Sequence, residues 1–232
     1  MGIILVKEKD IVIPGEKVAS GMDFLPSIGT FREGEDIFAS KLGLVEIRNR
    51  VIKVIPLKGY YMPKRGDTVI GIVTDIGFSG WTVDIGAPAE VNLPVGEALR
   101  ERIELLKSDL SKYFDIDDVI LAKVFNVTKS RIVQLTMKEY GLKKLRGGRV
   151  VRITPSKVPR LIGKGGSMVS MIKKYTKCEI NVGQNGYVWI NGPVDGQYLA
   201  EKAIQMIEQK AHISGLTDEV KNMLEEGVKN EA

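Results

Sequence analysis

The chain has 232 residues, 44% of them hydrophobic and 27% charged, and its 34 Lys and Arg against 29 Asp and Glu give a formal net charge of +5. That is the make-up of an ordinary globular protein. No apolar run is long enough to cross a bilayer, and the one after Met1 is too short for a secretory signal. A single cysteine, Cys178, excludes an intramolecular disulfide framework and a multi-cysteine zinc site. The only histidine, His212, lies near the C-terminus, which argues against histidine acid–base work and histidine-rich metal sites. The expectation is a cytoplasmic protein with no cofactor and no membrane partner.

Residues 1–62 read as a small β domain. Ile3 to Val6, Ile11 to Ile13, Ile37 to Ala39 and a long run from Leu44 to Leu57 are strand-like, and Pro14, Gly15, Gly21, Pro26, Gly29 and Gly34 punctuate them. A block this small buries little of its own surface and is not strongly basic, so docking on another protein explains it better than gripping a polyanion.

Residues 63–140 open on a turn at Pro63 to Asp67. Strands are expected over Thr68–Ile76, Trp81–Ile85, Val91–Leu93, Val119–Val127 and Ile132–Met137, with a helix from Gly96 to Phe114 on which Leu99, Ile103, Leu106 and Leu110 recur at helical spacing. Five strands with a helix between the third and fourth is the order of an OB-type barrel.

Residues 145–213 read strand (Arg149–Ile153), helix (Val158–Ile162), glycine loop, helix (Ser167–Tyr175), strand (Glu179–Val182), strand (Tyr187–Ile190) and helix (Asp195–Ala211). Asn185 and Gly186 signal a tight hairpin, Asp195 is a candidate N-cap, and Leu199, Ala203, Ile204 and Ile207 form the sheet-facing stripe of the last helix. Residues 214–232 are an acid-leaning tail, a short helix or a frayed end. The fold class is α+β and β-rich.

The chemistry concentrates in one place. Residues 140–178 hold eleven Lys and Arg and no Asp or Glu, and Gly163, Lys164, Gly165 and Gly166 lie within that stretch between two apolar half-turns. Glycines remove the Cβ atoms that keep a phosphodiester backbone away, so peptide N–H groups can meet phosphate oxygens while a lysine adds charge. Arg149, Arg152, Lys157, Arg160 and Lys173 are expected to support the loop. Lys123, Lys129 and Arg131, on or beside the last barrel hairpin, suit tracking of a nucleic-acid backbone rather than reading of its sequence.

The order strand, helix, Gly163 to Gly166, helix, strand, strand, helix resembles the type I KH domain. The preceding barrel resembles the RNA-binding OB repeat first named for ribosomal protein S-one. With Arg50 to Tyr60 and the Gly183 to Gly186 hairpin, nearly the full length is similar to the KH-bearing RNA-binding cap subunits of archaeal exosomes. The resemblance implies a non-catalytic subunit that recruits single-stranded RNA, with three copies on a hexameric ring of phosphorolytic RNase PH-like subunits. It also implies that the Gly183 to Gly186 hairpin packs against the barrel.

Other readings stand beside these. Ser79, Thr82 and Asn92 occupy positions where related barrels carry base-stacking aromatics and a histidine; Phe78 and Trp81 are adjacent alternatives, or core. Asp75 and Asp84 on neighbouring strands invite a magnesium site, although carboxylates on a barrel rim are more often solvated or paired. A free-standing RNA-binding regulator or translation factor, and a metal-dependent nuclease, are the competing functions. The N-terminal block favours a docked subunit over both.

Overall fold

The computed structural model describes residues 2–57, 59–99, 109–211 and 215–230, with side chains as far as 227. The chain divides into two compact units, residues 1–59 and 60–232.

The first unit is built from short strands: β1 (Ile3–Ile4), β2 (Ile11–Val12), β3 (Lys17–Ser20), β4 (Leu25–Pro26), β5 (Thr30–Glu33), β6 (Asp36–Ala39), β7 (Gly43–Arg48) and β8 (Val51–Pro56). They form two four-stranded sheets, in the orders β1-β3-β6-β5 and β2-β7-β8-β4. The long apolar run of the sequence is thus a hairpin, turned at Asn49 and Arg50, both with positive φ. Val12, Val18, Ile37, Val45, Ile52 and Val54 alternate inward to make the core, as strands buried on one face require. The same alternation leaves Ile11, Ile13 and Ile55 exposed, and Leu25, Ile28 and Leu42 are exposed as well.

In the second unit β9 (Thr68–Ile76), β10 (Gly80–Asp84), β11 (Val91–Pro94), β12 (Val119–Val127) and β13 (Val133–Thr136) make the barrel. It closes because β13 pairs parallel with β11 and antiparallel with β12. Trp81, Val83, Ile85, Leu93, Ile120 and Leu135 fill it. The helix expected over Gly96–Phe114 is seen as a four-residue α1 (Val95–Ala98) and a 3-10 turn (Leu110–Lys112); the positions between 100 and 108, with Ile103 and Leu106, lie outside the described residues. A strand that the sequence did not announce, β14 (Lys143–Leu145), runs beside β12.

The rest follows the expected order: β15 (Arg149–Arg152), α2 (Val158–Ile162), α3 (Ser167–Thr176), β16 (Glu179–Val182), β17 (Tyr187–Asn191), α4 (Val194–Lys210) and then α5 (Leu216–Asn230). The sheet order is β15-β17-β16. Two details depart from expectation. Asp195 is not the N-cap of the last KH helix; Pro193 holds that position in extended conformation and Asp195 lies inside the first turn, where its charge favours the helix dipole. The tail is a helix docked on the domain, with Leu216, Val220 and Leu224 buried at i, i+4 and i+8.

Barrel and KH-type domain are fastened to one another. Ile70, Leu121, Leu145, Tyr187 and Trp189 make a shared core. β10 pairs with β9 only from Ile72 onward, so the edge of β9 at Thr68 to Ile70 is open, and the β16–β17 hairpin fills it. Asn185, 3% exposed, accepts from Ile70 N–H at 3.2 Å and donates to the carbonyls of Ile70 (2.8 Å) and Ile85 (2.9 Å). Gln184 N–H donates to Thr68 O at 2.8 Å and receives the Thr68 N–H on its Oε1 at 3.2 Å. The hairpin is a strand-like clasp.

Candidate nucleic-acid interface

The glycine loop is held from both sides by buried apolar residues, Val158 and Leu161 on α2 and Met168 and Ile172 on α3. Gly163 ends α2 at φ 74°, ψ 176°, a region open essentially only to glycine, and a Cβ there would meet Met168 at 2.9 Å. Gly163 is therefore structural. Gly165 (φ 60°) and Gly166 (φ 81°) also have positive φ, but a Cβ on either would point into open space. That room lets a ligand backbone approach the peptide groups.

Electrostatics favour an anion at the same point. α3 begins at Ser167 with no side-chain cap and no acidic residue in its first turn, so no carboxylate offsets the positive end of its dipole, although the Gly166 and Ser167 N–H groups already donate to the Gly163 and Lys164 carbonyls. Lys164 is exposed and makes no ion pair among the described residues. Beside the loop a cleft of about 310 Å³ is lined by Pro155, Val158, Pro159, Ile162, Gly163 and Gln184. The cleft is apolar along Pro155, Val158, Pro159 and Ile162 and opens at Gly163, beside the exposed Lys164.

The cations around the loop are less free than the acid-free stretch of sequence suggests, because acids arrive from elsewhere in the fold. Arg149 pairs with Glu201 of α4 at 2.5 Å. Arg152 lies over the Tyr187 ring at 4.7 Å and 3.8 Å from Asp84, at the seam with the barrel. Lys157 donates to the Glu208 carbonyl at 2.6 Å. Arg160 is half-buried on α2. Lys173 is exposed, but its charge acts on Glu179, whose carboxyl is held below its usual range mainly by its hydrogen bond to Lys143. Only Gly163 to Gly166 with Lys164 form one constellation.

On the barrel, Lys129 and Arg131 are exposed in the β12–β13 turn, where Arg131 takes a positive φ of 65°. Lys123 is not with them. It sits back along β12, on the order of 15–20 Å away at strand rise, and bonds Glu139 at 2.7 Å. Trp81 is core, 1% exposed, with its indole N–H on Phe114 O at 2.9 Å, whereas Phe78 is 72% exposed. Ser79 is exposed and Thr82 and Asn92 half-buried, so no aromatic stands where related barrels stack bases. Asp75 and Asp84 do not converge: Asp75 lies opposite Thr82, and Asp84 accepts from Gly86 N–H at 2.7 Å and the Tyr187 hydroxyl at 3.4 Å. Cys178 is buried and its thiol is pushed up by desolvation. His212 lies outside the described residues.

Sequence reasoning passed over Gln184, Thr68 and Tyr140. Gln184 and Thr68 join across the seam through contacts that sequence proximity does not show. Tyr140 was legible as an aromatic at the edge of the basic stretch.

An OB barrel clasped to a KH-type domain with an open glycine loop has the architecture of a nucleic-acid-binding protein. Family models agree over most of the chain: the exosome RNA binding protein RRP4 N-terminal domain matches residues 9–58, the RRP4 S1 domain residues 60–126, and the KH domain residues 148–196. The exosome complex component Rrp4 of Thermococcus kodakarensis is 52% identical over 95% of this chain and 87% of its own length. That of Methanothermobacter thermautotrophicus is 49% identical over 96% of this chain and 70% of its own. A crystal structure of a candidate exosome complex RNA-binding protein superposes with a TM-score of 0.70 at 34% identity, covering 75% of this chain and all of that one. The chain belongs to the Rrp4 family of exosome complex components.

Proposed function

We propose that this chain is a non-catalytic cap subunit of an exosome, which binds single-stranded RNA and directs it into a phosphorolytic ring. The observation that carries the reading is the loop from Gly163 to Gly166, with open space over Gly165 and Gly166, an uncapped acid-free helix start and an unpaired Lys164. Kinship to named exosome components over almost the full length supplies the assembly. The ring is a hexamer of RNase PH-like subunits carrying three cap copies, in the cytoplasm. Residues 1–59 dock on it, a role supported by the exposed apolar side chains of Ile11, Ile13, Leu25, Ile28, Leu42 and Ile55. Lys129 and Arg131 steer RNA towards the entrance.

The test is reconstitution with cognate ring subunits. The isolated chain should leave RNA intact with magnesium, with or without phosphate, should co-elute with the ring, and should accelerate its degradation of single-stranded RNA. Failure to assemble would favour a free-standing RNA-binding regulator. Cleavage by the chain alone would overturn the assignment.

A further inference from the structure

Tyr140 is 99% exposed, yet its backbone is fixed. Glu139 to Leu142 form a tight turn closed by Leu142 N–H on Glu139 O, with Gly141 supplying a φ of 88°. The turn bulges from the strand path between β13 and β14, two strands that flank the same side of β12. The Tyr140 ring makes no aromatic or cation contact among the described residues, and Glu139 beside it is anchored by Lys123.

The position of that turn gives it meaning. Lys123 is the register partner of Thr68 on β9, and Thr68 is bonded to Gln184, which lines the cleft beside the glycine loop. Ile70 and Leu121, two residues along the same strands and on the same outward face, are buried beneath the KH-type domain. Thr68 and Lys123, both half-buried, therefore mark the rim where that cover ends. The row from cleft to Tyr140 runs Gln184, Thr68, Lys123, Glu139, a span of about 15 Å at strand spacing. Along it the turn of residues 64–67 is tied to β12 by Gly66 N–H on Val124 O and Val124 N–H on Asp67 O, which sets exposed Lys64 and Arg65 next to the row. Asp67 accepts the Tyr61 hydroxyl at 2.6 Å, which partly satisfies the nearby negative charge.

We infer that single-stranded RNA leaving the cleft over Gln184 continues across the Thr68–Lys123 row and stacks a base on Tyr140. Lys64 and Arg65 lie along the sugar–phosphate backbone, Lys123 neutralises Glu139 on the row, and the clasped seam keeps the two contact points at a fixed spacing. The inference rests on the RNA-binding reading above and adds to it a second anchor, on the barrel side of the seam.

The test compares full-length wild type, Tyr140→Ala, Tyr140→Phe and the double variant Lys164→Asp, Gly165→Asp in binding titrations. Two oligouridylates serve as probes, one of about four nucleotides, enough to fill a KH cleft, and one of about ten. Tyr140→Ala should weaken the longer probe by about five- to a hundredfold and leave the shorter unchanged, while Tyr140→Phe, which keeps the stacking face, should match wild type. A 5-iodouridine near one end of the longer probe should crosslink to Tyr140, read by mass spectrometry. If Tyr140→Ala binds the longer probe as wild type does, or weakens both probes equally, the path is wrong, while loss of binding in the loop variant would still uphold the RNA-binding reading. If wild type binds neither probe, both readings fall.

Discussion

Asn185 brackets Ile70, accepting from its N–H and donating to its carbonyl, so that one side chain completes the sheet edge of a different domain. A third bond, to the Ile85 carbonyl, ties it to the residue that follows β10. The two domains are thereby joined by hydrogen bonds of the kind that hold a sheet together, over the buried cluster that includes Tyr187 and Trp189.

Asn185→Ala should therefore be costly beyond its size. It leaves three buried backbone groups short of partners, and with partial relief by water the loss should be about 3 kcal/mol. Urea denaturation of the 60–232 unit measures it. Retained stability would show that the seam is held by its apolar cluster alone. Because the barrel and KH-type domain would then be joined mainly through the cluster of Ile70, Leu121, Leu145, Tyr187 and Trp189, the variant should also broaden the unfolding transition.

A second tie across the seam is electrostatic and pH-dependent. Lys143 bonds Glu179 at 2.8 Å, and this hydrogen bond is the main reason the Glu179 carboxyl lies below its ordinary value. A carboxylate whose pKa is lower in the folded state stabilises above its unfolded pKa, and the contribution is lost as pH falls through the folded value. Both side chains are about half exposed, so Lys143→Ala should cost less than about 1 kcal/mol at neutral pH. The difference from wild type should shrink to nothing in acid, as a series of denaturation curves would register. A difference that persists there would assign the effect to the lysine stem.

Residues 1–59 form a unit with its own two sheets and its own core, and residues 60–232 contain complete barrel and KH-type cores. Deleting 1–59 should leave the remainder folded and its affinity for RNA within about threefold of the full chain, since the loop's charge and amides are untouched. Co-elution with ring subunits should be abolished. Light scattering on both forms decides it, and assembly by the truncated chain would move the docking surface to the second unit.

Much of this was legible from residue order. β9 and β12 have the bounds that their apolar runs predict, and the loop and both helices around it stand where Gly163 and Ser167 place them. Charge partners were not legible. Arg149, Arg152 and Lys157 read as free cations because their neighbours in sequence are neutral, yet α4 and the barrel bring Glu201, Asp84 and the Glu208 carbonyl to them. The docked α5 was obscured by its acids, although Leu216, Val220 and Leu224 spelled a helical stripe. Asp195 misled as a cap because Pro193, with its fixed φ, serves as the extended residue before the helix.

The most direct measurement of the central claim is the affinity of the full chain for single-stranded RNA across a range of salt concentrations, for wild type and for Lys164→Asp, Gly165→Asp. Neither substitution meets a clash, because Lys164 is exposed and a Cβ at Gly165 points into open space; its φ of 60° costs aspartate roughly 1 kcal/mol. The account predicts weaker binding by the variant and a salt-dependence slope smaller by roughly 0.7, the value for one lost phosphate contact on a single strand. Equal affinity and equal slope would show that the glycine loop is only a turn between two helices.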